Sequence, residues 1–202
     1  MKTVAIERRS ALAGVYHVGR HGHAQGDPGI RVRERRGLSI VQVAAFAHDT
    51  ALPAEIATRV GVDAIPSAGH VVGDEARSIR PAGPRTWLVV LGAKDGALPE
   101  LAVALAGRAV VTDLSHARTA IAIKGPAARD VLAQGTSIDL HPGVFGANAC
   151  VQTRCGHIGV TLTRLAGDDA YELMCYRGYA VSLWEWLLAA GRSVGVEVLS
   201  RK

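Results

Sequence analysis

The chain has 202 residues, of which 49% are hydrophobic and 20% are charged, and its formal net charge is +5. A chain of this length and composition can bury a substantial core, which excludes a disordered tail. No apolar run approaches the roughly 20 residues that a membrane-spanning helix needs, and the first residues lack the apolar stretch of a signal peptide, so we expect a cytoplasmic protein.

The first predicted strand carries much of the positive charge. Residues 1–40 contain eight Lys or Arg and three Asp or Glu, an excess of 8 − 3 = +5, whereas the other 162 residues contain 15 of each sign. Alternation over residues 30–35 predicts a strand with Arg31, Arg33 and Arg35 on one face. These arginines form a solvated face, contact an acidic partner or bind nucleic acid. Tyr16 is the only aromatic residue among the first 40, which disfavours nucleic acid and leaves two alternatives, a solvated face or a row of candidate partner-interface residues.

Residues 38–107 alternate between strands and short helices. We predict strands over residues 38–46 and 86–91, and helices over 53–60 and 99–106 that each begin at a proline and are closed by a glycine. Residues 64–81 contain two glycines and two prolines, which favour a loop with short strands.

Residues 110–142 have the clearest local pattern in the chain. A short apolar strand leads into an Asp-Leu-Ser-His turn, and an alternating strand then precedes a helix over residues 126–134. Pro126 occupies the first helical position, where its missing N–H costs nothing, and Gly135 is predicted to close the helix in the left-handed conformation.

The remaining elements set the predicted fold class. Residues 151–165 and 170–176 are predicted as a hairpin that turns at Gly167, Asp168 and Asp169, followed by a helix over 179–190 and a strand over 194–199. The C-terminal half therefore reads β-α-β-β-α-β, which is the split-βαβ order. We predict an α+β fold of two ferredoxin-like units, residues 1–107 and 108–202, in which antiparallel sheets are covered by helices.

The helix over residues 179–190 is apolar on more than one side. One stripe should pack on the chain's own sheet, and Val181, Trp184 and Leu188 form a second. This second stripe is either covered by the chain's own N-terminal half or is part of a partner interface, because a wide apolar helix exposed on a monomer is a liability.

Neither the cysteines nor the known catalytic motifs predict a site. Cys150, Cys155 and Cys175 form no Cys-x-x-Cys pair and no even set, so we expect free thiols. Cys150, Cys155 and His157 could supply three metal ligands, with Cys155 and His157 on one face of the predicted strand, but no fourth ligand accompanies them and we predict no metal site. The sequence has no dinucleotide fingerprint, P-loop, nucleophile elbow or zinc-protease motif, and the adjacent Ser115 and His116 point to opposite faces of an extended segment.

Several segments together resemble one family. They are the Asp-Leu-Ser-His turn with the following strand, Gly-Pro and helix; Gly83-Pro84-Arg85-Thr86-Trp87-Leu88; residues 145–153; and residues 182–187. This pattern resembles the gamma subunit of heterotetrameric sarcosine oxidases, which is itself distantly similar to the glycine-cleavage aminomethyltransferases that bind tetrahydrofolate. The resemblance covers residues 77–191, and it departs from the family pattern where Arg85 and Thr86 replace two acidic positions.

The resemblance implies an accessory subunit whose partners are the alpha, beta and delta subunits. It implies that the assembled enzyme oxidatively demethylates sarcosine to glycine, releases hydrogen peroxide and passes the one-carbon unit to tetrahydrofolate. FAD, FMN, NAD and tetrahydrofolate are then expected on other subunits, and none on this chain. A related N-methylglutamate dehydrogenase complex would present a similar subunit.

The resemblance also implies what this chain lacks. In the folate-dependent aminomethyltransferases the strand corresponding to residues 157–165 carries paired aspartates, whereas the matching positions here are Ile158 and Gly159. Neither residue can replace a carboxylate that orients an amine and exchanges its proton. We therefore predict no catalytic and no cofactor-binding residue, and a stand-alone aminomethyltransferase is disfavoured.

Overall fold

The fold is that of a computed structural model, which describes residues 9–23, 25–46, 49–92, 97–167 and 169–201. The strands are β1 (Gly19–His21), β2 (Ile30–Arg35), β3 (Leu38–Ala45), β4 (Val72–Gly73), β5 (Arg77–Gly83), β6 (Thr86–Gly92), β7 (Ala109–Asp113), β8 (Arg118–Lys124), β9 (Cys150–Cys155), β10 (Ile158–Arg164), β11 (Ala170–Tyr176) and β12 (Val196–Val198). The helices are α1 (Leu52–Val60), α2 (Ala97–Ala104), α3 (Ala128–Ala133) and α4 (Ala180–Ala190), and a single 3-10 turn (Arg177–Tyr179) precedes α4. Among the described residues, no helix is both long and apolar enough to cross a membrane.

The strands form two sheets. One has seven strands in the order β1-β12-β2-β8-β11-β10-β9, and the other has five in the order β4-β5-β6-β3-β7. Neighbouring strands are antiparallel, except that β12 runs parallel to β2. Both sheets combine strands that come before residue 107, the end of the first predicted unit, with strands that come after it. β1 and β2 belong to the larger sheet, whose other strands follow residue 107, and β7 belongs to the smaller sheet, whose other strands precede it.

Three apolar clusters show how the layers stack. The largest packs α3 and α4 on the seven-stranded sheet, and a second packs α1 and α2 on the five-stranded sheet. The third lies where the two sheets meet and contains Ile40, Leu88, Val90, Ala120 and Met174. The α+β class is confirmed, with largely antiparallel sheets whose outer faces are covered by helices.

The observed helix ends agree with the predicted glycine caps in one helix and differ from them in another. Gly61 closes α1 in the left-handed conformation, with φ of 78°, and its N–H donates to the carbonyl of Ala57. The prediction for Gly135 is wrong: α3 ends at Ala133, Gln134 caps it in the right-handed conformation, and Gly135 has no positive φ. A Cβ on Gly135 would lie 2.3 Å from Cζ2 of Trp186, so this glycine is required by the close approach of the last helix.

The strand predicted over residues 151–165 is broken into β9 and β10. Gly156 and His157 form the turn between them, with φ of 60° at Gly156. The turn separates Cys155, which is buried, from His157, which is exposed, so the expectation that they share one strand face is wrong. Residues 64–81, predicted as loop with short strands, contain β4 and the start of β5. The predicted hairpin between β10 and β11 is confirmed, although Asp168 lies outside the described residues.

Candidate functional site

Two clefts open beside the start of β8, and Arg118 lines both. The first, the arginine cleft, has a volume of about 480 Å³, and the second, the glycine cleft, of about 580 Å³. The guanidinium of Arg118 lies over the ring of Tyr176 at the end of β11, with 3.6 Å between Cζ and the ring centroid. Since β8 and β11 are antiparallel neighbours that pair Arg118 with Tyr176, the sheet register itself places this cation on the aromatic face.

The arginine cleft is strongly basic. Within the described parts of the chain it is lined by one carboxylate, Glu34, and by Ser115 and His116 of the Asp-Leu-Ser-His turn. Glu34 is 5% exposed; the Ser10 hydroxyl donates to it at 2.6 Å, and the guanidinium of Arg201 lies 3.2 Å away. The arginines that line the cleft are Arg9, Arg35, Arg36, Arg118, Arg177 and Arg201.

The glycine cleft lies between the two sheets. Gly159 and Thr161 of β10 and Gln152 of β9 line one side, and Gln42 and Leu88 line the other. A Cβ on Gly159 would meet no atom within 4 Å, so this position faces open space. The neighbouring Ile158 is buried in the helix-covered core.

Of the residues that the structure describes, no carboxylate lines the glycine cleft. The polar groups that converge there are amides, hydroxyls and guanidiniums, which can donate or accept hydrogen bonds. None of them is the carboxylate that general acid–base chemistry on an amine requires. The described residues of this cleft therefore do not fit the tetrahydrofolate-dependent transfer chemistry that the resemblance to aminomethyltransferases implies.

A buried ion triad lies between the sheets beside the arginine cleft. Glu172 of β11 is fully buried and binds Arg80 of β5 and Arg35 of β2. Burial alone raises the pKa of Glu172, but the two guanidiniums outweigh it and hold the pKa below its usual range. The second terminal nitrogen of Arg35 donates to the carbonyl of Glu75. The triad therefore links the two sheets through charge.

The predicted arginine face exists, but its members have different environments. Burial alternates along β2, so Arg31, Arg33 and Arg35 lie opposite Ile30 and Val32. Arg31 is exposed and pairs with Glu197 of the neighbouring strand at 2.8 Å. Arg35 is drawn into the buried triad, with a side chain only 8% exposed. The three guanidiniums on this face are therefore not equally available to a partner.

The second stripe of α4 lies against the chain's own N-terminal segment. Trp184 is fully buried, and its ring stacks on that of Tyr16. Val181 and Leu188 are half-buried and pack against the same core. The structure thus places Trp184 in the core and leaves only parts of Val181 and Leu188 at the surface.

The Asp-Leu-Ser-His turn is held together by its own polar groups. The Ser115 hydroxyl donates to Oδ1 of Asp113 at 2.5 Å and accepts from the N–H of Ile40 at 3.0 Å. Ser115 is therefore engaged in fixing the turn to β3. The expectation that Ser115 and His116 point to opposite faces of an extended segment is wrong, because both lie in a turn and both line the arginine cleft. Among the described residues, no group of three or more His, Cys, Asp or Glu side chains could hold a metal ion.

Sequence reasoning did not anticipate the residues that shape the clefts. Arg80 and Glu172 are 92 positions apart, and Arg118 and Tyr176 are 58 apart, so neither pair leaves a local pattern. The period-two alternation of β2 did identify Arg35, although not its partner. A buried glutamate within the apolar run of β11 is the one available signal, because an unpaired charge there would be costly.

Comparisons with known proteins add to this geometry. Residues 69–201 match the family model of the GCVT N-terminal domain. The sarcosine oxidase subunit gamma of Arthrobacter sp. is 32% identical over 154 residues, which cover 66% of this chain and 75% of that protein. A chain of the heterotetrameric sarcosine oxidase from Corynebacterium sp. U-96 is similar with a TM-score of 0.80 and 26% identity, covering 92% of this chain and 96% of that one. Glycine cleavage system aminomethyltransferase T from Bartonella henselae is similar in fold, with a TM-score of 0.61 and 18% identity over 85% of this chain and 48% of that one.

Proposed function

This chain belongs to the family of sarcosine oxidase gamma subunits, with a GCVT N-terminal domain, and we propose that it is the accessory gamma subunit of a heterotetrameric sarcosine oxidase. Its proposed partners are the alpha, beta and delta subunits, and its proposed location is the cytoplasm. In this proposal the complex demethylates sarcosine to glycine, releases hydrogen peroxide and passes the one-carbon unit to tetrahydrofolate. FAD, FMN, NAD and tetrahydrofolate are bound by the other subunits.

The accessory role rests on one observation, that no carboxylate of the described residues lines the glycine cleft. The aminomethyltransferase relatives implied by the resemblance need an acid at the positions of Ile158 and Gly159. Here the first side chain is buried in the core, and the second residue has no side chain. A chain with this fold can shape and stabilise an assembly, but the described lining of this cleft offers no carboxylate to exchange a proton with a bound amine.

The other functions receive less support. The relatives at 32% and 26% identity, which cover 66% and 92% of this chain, are sarcosine oxidase chains, and this favours that complex over one for N-methylglutamate. Nucleic-acid binding is disfavoured because Arg31 and Arg35 are paired with carboxylates of this chain.

Reconstitution tests the proposal. The purified chain is expected to be colourless and to release no peroxide from sarcosine, whereas co-expression with the three other subunits should yield one complex that contains it. Absorbance spectra, peroxide release and size-exclusion chromatography provide the readouts. Stoichiometric flavin on the isolated chain, turnover by it, or a fully assembled complex that excludes it would overturn the proposal.

A further inference from the structure

We propose that the arginine cleft is the docking site for an acidic segment of a partner protein, a stretch rich in Asp and Glu, within the assembly. The inference rests on the proposed function, and it adds which surface of this chain contacts a partner subunit and the chemistry of the partner segment. Four features of the structure support it: unbalanced charge among the described residues, two adjoining clefts, exposed tyrosines beside Arg177, and the exposure of the cations themselves.

Among the described residues, the arginines that line the cleft outnumber its carboxylates by six to one, and one of the six, Arg36, has an interaction of its own. Glu34 is already engaged by Ser10 and Arg201, and Arg35 is engaged by Glu172. Among the described residues, no carboxylate pairs with Arg9, Arg118 or Arg177. An anionic occupant would supply the missing charge through the paired N–H groups that guanidinium presents to a carboxylate.

The shape favours a chain segment over a single small anion. A further cleft, of about 480 Å³, lies along the N-terminal segment and shares Arg9, Ser10 and Arg177 with the arginine cleft. The two clefts adjoin at these residues, and together they are called the groove. Two adjoining clefts can place several carboxylates of one peptide against different guanidiniums.

The chain on either side of Arg177 carries residue types that are enriched at protein interfaces. Tyr176, which lines the glycine cleft, is 53% exposed and Tyr179 is 58% exposed, and the two residues lie on either side of Arg177 in sequence. Tyrosine and arginine are over-represented among the side chains that dominate binding energy. Since Arg177 and Arg9 are exposed as well, these groups are available to a partner without any rearrangement of the core.

One hydrogen bond organises the middle of the groove. The Arg177 guanidinium donates to the carbonyl of Arg9 at 2.7 Å, which fixes the N-terminal segment beside the 3-10 turn. It leaves the remaining N–H groups of Arg177 for an acidic ligand. Steering by such clustered charge increases association rates and makes them depend on salt.

The first experiment uses the full chain and a fluorescent oligoglutamate peptide as the probe. The charge-reversal variant Arg9→Glu/Arg177→Glu is compared with Arg129→Glu/Arg192→Glu, which changes the net charge equally on the helix-covered side. Wild type is expected to bind the peptide at low salt, and the cleft variant should bind about tenfold more weakly or worse, with the control close to wild type. Thermal unfolding checks that both variants fold, and Arg118→Gln provides an independent cleft variant. Equal binding by the cleft and control variants, or tighter binding of inorganic phosphate than of the peptide, would overturn the proposal.

The second experiment identifies the occupant in the assembled complex. A photo-crosslinking residue replaces Tyr179, or Glu185 on the exposed face of α4 as a control, and the crosslinked partner segment is sequenced by mass spectrometry. The Tyr179 position is expected to crosslink an acidic segment of another subunit, and a neutral or basic segment would contradict the inference. A wild-type chain that joins no complex refutes the proposed function and the protein partner with it, while the peptide experiment still decides what chemistry the cleft binds.

Discussion

The phenol ring of Tyr16 stacks on the indole of Trp184, with 4.9 Å between the ring centroids and 22° between the ring planes. The Tyr16 hydroxyl donates to the carbonyl of Leu199 at 2.7 Å, so the same side chain also holds the C-terminal segment. Trp184 is fully buried within this chain. The segment that contains Tyr16 therefore covers this side of α4.

Replacing Trp184 by alanine should destabilise the isolated chain. The substitution removes a large buried aromatic ring and leaves a cavity against Tyr16, which typically costs about 3–5 kcal/mol of unfolding free energy. Denaturant unfolding measures the change. Glu185→Ala, which alters the exposed neighbour on the same helix, should stay within about 0.5 kcal/mol of wild type.

If Trp184→Ala leaves the stability of the free chain unchanged but weakens assembly of the complex, Trp184 is an interface residue. The two effects are separable because stability is measured on the free chain and assembly on the complex. From the buried position of Trp184 we expect loss of stability in the free chain.

Gly135→Ala is predicted to strain the contact between α3 and α4. The added Cβ would lie 2.3 Å from Cζ2 of Trp186 and 2.9 Å from the backbone nitrogen of Gly156. Because one of these neighbours is backbone, relief requires movement of the β9–β10 turn, and we expect a loss of about 1–3 kcal/mol.

Gly159→Ala is the matched control for this steric prediction. Its Cβ would meet nothing within 4 Å, and Gly159 has no positive φ. Its unfolding free energy should change little. Equal destabilisation by both substitutions would show that general glycine replacement, and not the Trp186 contact, is responsible.

Local patterns accounted for much of the secondary structure, and their failures have local causes. Period-two alternation located β2, and the Pro-to-Gly spacing located α1, because the signals lie within a few residues of each other. The break between β9 and β10 was missed because Gly156 sits in an otherwise continuous strand pattern, and a lone glycine does not distinguish a bulge from a turn.

The clefts could not be predicted in the same way. Their residues come from β2, β8, the segment after β11 and both ends of the chain, and only the order of strands in the sheets brings them together. The family resemblance supplied the expectation of a missing acid at Ile158 and Gly159. It gave no indication that Arg118 and Arg177 would meet Arg9 in a groove.

The three cysteines should be unreactive in the folded chain. All are buried free thiols, and burial raises the pKa of Cys155 to about 12 and of Cys175 to about 11, while that of Cys150 is also raised. Since the thiolate is the reactive form, a thiol reagent at mildly alkaline pH should label none of them until denaturant is added, and then all three. Rapid labelling of one thiol in the native chain would contradict the buried placement.

Glu172→Gln should be strongly destabilising although it conserves shape. It leaves the guanidiniums of Arg35 and Arg80 buried without a counter-charge, and breaking a buried pair in this way typically costs about 3–5 kcal/mol. Replacing all three members of the triad by apolar residues should recover much of the loss, because the cost arises from unpaired charge. Glu185→Gln provides the exposed control, with little expected change.

The contribution of Glu172 should also depend on pH, with a definite sign. The two arginines hold the folded-state pKa of Glu172 below its ordinary value of 4.5. A depressed carboxyl pKa means that the unfolded chain takes up the proton first, so the stabilisation is fully present above about pH 4.5 and is lost as pH falls through the folded-state value. The difference in unfolding free energy between wild type and Glu172→Gln should therefore be constant near neutral pH and shrink in a denaturant series taken below pH 4.5. A difference that stays constant across that acidic range would show that the arginines do not stabilise an ionised Glu172.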